Sequence, residues 1–150
     1  IFVTLSRIFT GMTARIAIST TFKDFNMATV NLTNQTFSDT INNNDIVIID
    51  FWAEWCGPCK NFSPIYEEAS EKHEDIVFAK VNTEEEQELG ASFQIRSIPT
   101  LMIFREKIIL YSQPGMIGGP QLDELVGKVK ELDMDMVRAE IAEQEKQKQA

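Results

Sequence analysis

Ile46-Val47-Ile48-Ile49-Asp50-Phe51-Trp52-Ala53-Glu54-Trp55-Cys56-Gly57-Pro58-Cys59-Lys60 is the stretch that decides how this chain is read. Residues 46–52 form a continuous apolar run with a single acid inside it, which suits a central strand buried on both faces. Cys56 follows the strand at the first turn of a predicted helix that runs to about His73, with Pro64 removing a backbone donor midway and expected to kink it. Upstream, Val30 and Leu32 alternate with polar neighbours as a short edge strand. Thr33 or Asn34 can cap a helix carrying Phe37 and Ile41, ended by Asn42-Asn43-Asn44. Downstream come a buried strand over 76–81, an acidic helix around 84–89, a strand led in by Ile98-Pro99, another over 108–111, and a helix from Gln121 to about Leu132. Gly115, Gly118, Gly119 and Pro120 mark the loop before that helix. The order β-α-β-α-β-α-β-β-α implies an α/β protein, a central mixed sheet with helices on both faces.

The chain has 150 residues, enough for one ordinary core, and no run approaches the roughly 20 apolar residues of a membrane-spanning helix. Its net charge of -9 repels phosphate backbones and argues against a nucleic-acid partner. Residues 1–26 differ in composition: Arg7, Arg15 and Lys23 with many Ser and Thr, and no acid before Asp24. Upstream or start-site sequence, an organellar transit peptide and a secretory signal interrupted by Arg7 are three readings of this segment. In each it is disordered or outside the core, leaving 27–132 as the domain. Beyond Leu132, heptad spacing through Leu122, Leu125, Val129, Leu132, Met136 and Ala139 fails at Glu143 and Lys146. A lengthened last helix, or a second helix capped near Asp133 or Asp135, accounts for 133–150 as a polar helical tail better than a dimer seam does.

Only two cysteines are present, two residues apart. A disulfide that closes so short a loop gains little as a staple, and a zinc site would need four ligands where the chain offers two Cys and His73. Redox chemistry is the reading left. At a helix N-terminus, backbone N–H groups and the helix dipole favour the Cys56 thiolate by about 0.3 to 2 kcal/mol. Cys59, one turn further in, is expected to be more buried, to stay protonated, and to attack a mixed disulfide formed on Cys56.

A lone carboxylate in an apolar strand is costly, so Asp50 should bind its proton more tightly, with Lys80 of the next strand as candidate partner. A structural ion pair and a proton acceptor for Cys59, direct or through water, are both consistent with these residues. Pro99 cannot donate to a ladder, and a cis bond there would leave the Ile98 backbone free to pair with a peptide. Phe51 reads as core, Trp55 as a surface contact beside Cys56, and His73 as a polar helix end.

The segment Asp50 to Lys60 resembles the active-site segment of the thioredoxin family throughout. The likeness runs from about Val30 to Val129 and includes Pro64, Ala79-Lys80-Val81-Asn82, Arg96-Ser97-Ile98-Pro99-Thr100 and Gly115. It implies a thioredoxin fold with a C-terminal helical extension. It also implies a protein-disulfide reductase in which Cys56 attacks, Cys59 resolves, and Asp50 with Lys80 forms a buried proton-handling pair. Pro99 would be a cis-proline beside the disulfide, and Trp55, Gly57, Pro58, Ile98, Pro99 and Gly115 would border the substrate groove. The family works without metal or cofactor, takes electrons from a thioredoxin reductase and passes them to disulfide-containing clients. The implied protein is a monomer of the cytoplasm, or of an organellar matrix if residues 1–26 are a transit peptide. Three positions depart from the pattern: Arg105-Glu106-Lys107-Ile108 lacks the usual hairpin glycine, Ser97 stands where a glycine or smaller residue is frequent, and the tail is long. A disulfide oxidase or isomerase on the same fold would carry a histidine between the cysteines, where this chain has Gly57-Pro58. A binding module without turnover would be expected to lack a cysteine.

Overall fold

The computed structural model describes residues 28–150, so the expectations for 1–26 fall outside the described residues. Five strands, β1 (Thr29–Asn31), β2 (Ile46–Trp52), β3 (Val77–Asn82), β4 (Thr100–Arg105) and β5 (Ile108–Pro114), form one sheet of order β1-β3-β2-β4-β5. β1 and β2 run parallel to β3, and β4 and β5 are antiparallel additions. The helices are α1 (Phe37–Asn43), α2 (Gly57–Lys72), α3 (Gln87–Ser92), α4 (Gly119–Glu131) and α5 (Met134–Gln149).

The two-residue period of β2 sorts the core. Ile46 and Ile48 face Phe62, Tyr66 and Ala69 of α2 and Leu122, Val126 and Val129 of α4. Val47, Ile49 and Phe51 face Ile41 of α1 and Leu89 of α3. Asp50 therefore continues the row that points towards α2. Burial on both faces is why this strand reads as an unbroken apolar run.

Several boundaries differ from the sequence reading, each for a local reason. α1 starts at Phe37 because Thr33 and Thr36 exchange bonds between hydroxyls and backbone N–H groups, closing a turn first. α3 starts at Gln87 because Asn82 ties up Glu84 N–H through its side chain and Glu86 N–H through its carbonyl. β4 begins at Thr100, after Pro99, and β5 continues to Pro114. α4 takes in Gly119 and Pro120, a proline being well tolerated in the first turn of a helix. α2 runs unbroken from Gly57 to Lys72 although it contains Pro64. The tail forms a separate helix whose cap is Asp133, accepting from Asp135 N–H at 3.0 Å and Met136 N–H at 3.3 Å.

The hairpin lacking glycine is a two-residue turn with Glu106 at φ 50° and Lys107 at φ 69°, the paired left-handed geometry that matches strand twist. Glu106 is held from three sides. Its N–H donates to Asp45 O at 2.8 Å, its carboxylate meets Arg138 of α5 at 2.7 Å, and its neighbour Arg105 donates to the carbonyls of Val129, Lys130 and Leu132 at the end of α4. Lys107 has no comparable anchor and is exposed. Lys107→Gly should stabilise the protein by about 0.5–1 kcal/mol, since a left-handed residue with a Cβ costs about 1–2 kcal/mol and glycine's extra freedom returns part of it. A higher urea midpoint at unchanged slope would show this.

Candidate active site

β2 ends at Trp52 and α2 begins at Gly57, so Cys56 becomes the N-cap of α2, with Pro58 inside the first turn. Its backbone is extended (φ -82°, ψ 109°), and Cys59 N–H donates to Cys56 Sγ at 3.2 Å. An N–H at a helix start aimed at sulfur favours negative charge there. Cys56 and Cys59 are joined as a disulfide, with Cα atoms 5.2 Å apart. The expected contrast in burial is absent: the two residues are 4% and 3% exposed. What separates them is direction. Cys56 Sγ lies 3.6 Å from Ile98 O, whereas Cys59 lines a cavity of about 110 Å³ with Trp52, Glu54, Lys60, Ser63 and Lys80.

Ala53, Cys56 and Cys59 form one buried cluster, packed by Trp52 and Ile98. The Ile98–Pro99 peptide is cis. Pro99 is buried, and its carbonyl accepts from Gly115 N–H at 2.8 Å. Gly115 itself has φ 96°, a conformation that favours glycine. Gly57 and Pro58 are exposed on the first turn of α2. Trp55 is 69% exposed, and its Nε1 donates to Glu84 Oε1 at 2.6 Å, which fixes the indole beside the disulfide. Trp55, Ile98, Ser97 and Arg96 line one cleft of about 360 Å³ with Thr83 and α3.

Asp50 is 1% exposed, and neither carboxylate oxygen has a hydrogen-bond partner among the described residues. Desolvation pushes its pKa up to about 7, against a smaller downward pull from the Lys80 charge. Lys80 is its neighbour in the β2–β3 register, yet the expected ion pair is replaced by other contacts. Lys80 Nζ donates to Ser63 Oγ at 3.2 Å and sits 4.9 Å over the Trp52 ring.

Sequence reasoning missed Ser63, Glu84 and the role of His73. Ser63 had a visible signal, because it lies four residues after Cys59 on the same helix face. Glu84 had none, since its contact with Trp55 spans the fold. His73 caps α2, stacks on Phe78 and bonds Asp123 of α4 at 3.0 Å, joining the two helices on that face. Among the described residues no three His, Cys, Asp or Glu side chains converge as metal ligands, and no helix is long and apolar enough to cross a membrane.

The thioredoxin family model matches residues 28–131. A curated relative described as putative thioredoxin 2, from Streptomyces coelicolor, is 51% identical over 120 residues, covering 80% of this chain and 90% of the relative. Among solved structures, a Plasmodium falciparum thioredoxin is 35% identical with a TM-score of 0.62, covering 66% of this chain and 97% of that one. A mutant thioredoxin from Halobacterium salinarum is 30% identical with a TM-score of 0.66, covering 71% of this chain and 96% of that one. Because the family match takes in the mixed sheet, its flanking helices and the paired cysteines, this chain belongs to the thioredoxin family and is a thiol-disulfide oxidoreductase that reduces protein disulfides.

Proposed function

We propose that Cys56 is the attacking thiol, Cys59 the resolving thiol, and Asp50 the acceptor of the Cys59 proton. The observation that carries this reading is Cys59 N–H directed at Cys56 Sγ, a contact that stabilises thiolate at one cysteine only. The reduced Cys56 thiolate attacks a client disulfide, forming a mixed disulfide and expelling one client thiolate. Cys59, its proton passed to Asp50 directly or through water in the adjoining cavity, attacks Cys56 Sγ, re-forms the Cys56–Cys59 bond and releases the second client thiol. Two electrons move from the protein to the client, and a thioredoxin reductase returns them. The exchange runs between sulfurs and uses no bound cofactor or metal.

Trp55, Gly57, Pro58, Ile98, Pro99 and Gly115 border the client groove in this reading, with the Ile98 backbone pairing with the client chain. Lys80 moderates the charge on Asp50 from a distance. The catalytic unit is residues 27–132, with 133–150 as a helical extension, acting as a monomer without nucleic acid or membrane. Gly57-Pro58 between the cysteines suits a reductant and hence a reducing compartment: the cytoplasm, with an organellar matrix the alternative if residues 1–26 are a transit peptide. The wider roles in electron transport and cell redox homeostasis follow from the same chemistry.

Cys56→Ser should abolish insulin reduction, and Cys59→Ser should retain attack and hold clients as mixed disulfides visible on non-reducing gels. Capture by the Cys56 variant in place of the Cys59 variant would reverse the roles.

Asp50 generates a second expectation. Its folded pKa of about 7 lies above the unfolded value near 3.8, so the native state holds a proton between those pH values that the unfolded state has lost. The resulting stability is full below about pH 4 and is lost as pH rises through about 7. Asp50→Asn should therefore add about 2–4 kcal/mol at pH 8 and little at pH 4. Because Lys80 keeps Ser63 and the Trp52 ring, no unpaired cation offsets the gain. Exchange should slow about tenfold or more near pH 7, the defect narrowing at higher pH as solvent takes the proton. Denaturant midpoints and insulin reduction across pH 4–9 check both halves, and an unchanged rate at every pH would remove Asp50 from the mechanism.

A further inference from the structure

Lys80 stands where two openings meet. The first, of about 110 Å³, holds Cys59 and Ser63. The second opening, about 320 Å³, holds Glu85 and Glu86, and Lys80, Trp52 and Glu54 line both. A lysine ammonium on a four-carbon stem goes where its partners are, and two carboxylates, Glu85 and Glu86, line the second opening alone. On the Cys59 side the Ser63 hydroxyl, 3.2 Å from Nζ, is the hydrogen-bond partner, with the Trp52 ring beneath the charge. Asp50, the register neighbour, forms no hydrogen bond to it.

We propose that Ser63 is a positioning residue whose hydroxyl keeps the Lys80 ammonium at the cavity that Cys59 lines, against the pull of Glu85 and Glu86 across the second opening. The proposal rests on the reading of Cys59 as the resolving thiol. In the resolving step Cys59 sulfur bonds to Cys56 sulfur, the bond from Cys56 to the client sulfur breaks, and the client sulfur leaves with the electron pair and takes a proton from water. Nothing else is oxidised or reduced. The attacking species is an anion, so a cation held beside it raises the fraction ready to react at neutral pH. The other charged groups lining this cavity are Lys60 on the helix of Cys59 and Glu54 from the preceding loop, and Asp50 of β2 is the register neighbour of Lys80. Without the Ser63 hydroxyl, Lys80 turns towards Glu85 and Glu86, and Cys59 and Asp50 both lose a neighbouring positive charge.

The test uses the full chain, reduced and mixed with one equivalent of dithiobis-nitrobenzoate from pH 5.5 to 9. Release of the first thionitrobenzoate reports attack by Cys56, and release of the second reports resolution by Cys59. In Ser63→Ala the second release should slow about tenfold at pH 7, and its pH profile should move up by about one unit, as expected when a neighbouring cation is withdrawn. The first release should change less than twofold. Ser63→Thr, which retains the hydroxyl, should restore the profile, and Lys80→Met should reproduce the Ser63→Ala displacement. A Ser63→Ala profile that overlays the parent, or that is slower at all pH values without displacement, overturns the proposal. If Lys80→Met is displaced and Ser63→Ala is not, Ser63 alone is excluded and the reading of Cys59 stands. If the second release survives in Cys59→Ser, the reading of Cys59 fails and the proposal with it.

Discussion

Cys59 N–H reaches Cys56 Sγ at 3.2 Å only because a buried strand ends, and a helix begins, within four intervening residues. That junction places a sulfur on the one kind of backbone terminus that presents unsatisfied N–H groups. Much of the remaining architecture can be understood as holding it rigid. β2 is buried on both faces by separate side-chain sets. α2 is clamped to α4 through His73 and Asp123, and Tyr66 OH reaches the carbonyls of Ile48 on β2 and Ala79 on β3, at 2.9 and 2.7 Å. A site built between regular elements in this way keeps its geometry better than one carried by a loop.

The burial that stiffens β2 also sets the chemistry of Asp50. One side chain in its inward row is a carboxylate, and the sheet gives it no hydrogen-bond donor. The folded state is thereby less stable above neutral pH in exchange for a group that can hold or release a proton where thiols titrate. Lys80 eases this cost without removing it, since its ammonium is engaged by Ser63 and Trp52 and acts on Asp50 only through space.

The parts of the fold governed by local chemistry were legible in the sequence. The apolar run 46–52, the helix start after Cys56 and the Asp133 cap each follow from short-range rules. Misplaced boundaries trace to side chains that bind backbone groups and delay a helix, Thr33 with Thr36 and Asn82 with Glu84. At the site, the cysteines and Asp50 were visible because their residue types clash with their surroundings. The destination of the Lys80 ammonium was not, because adjacency in a sheet register constrains Cα atoms while a long flexible side chain chooses among distant partners. The Trp55–Glu84 contact was hidden for a related reason, as it joins residues 29 apart in sequence.

The far end of the sheet offers a different kind of consequence. The hairpin, Arg105 and the start of α5 gather beside Ile46, at the opposite end of β2 from Cys56, about 20 Å away along the strand. Met134, Val137 and Ile141 turn α5 towards the body, and residues 142–150 are exposed. That stretch of solvated helix is a handle set apart from the disulfide. A chain attached there, whether a fusion partner, a label or a link to a solid support, leaves the reactive face turned outward, so the geometry supplies its own orientation for immobilisation.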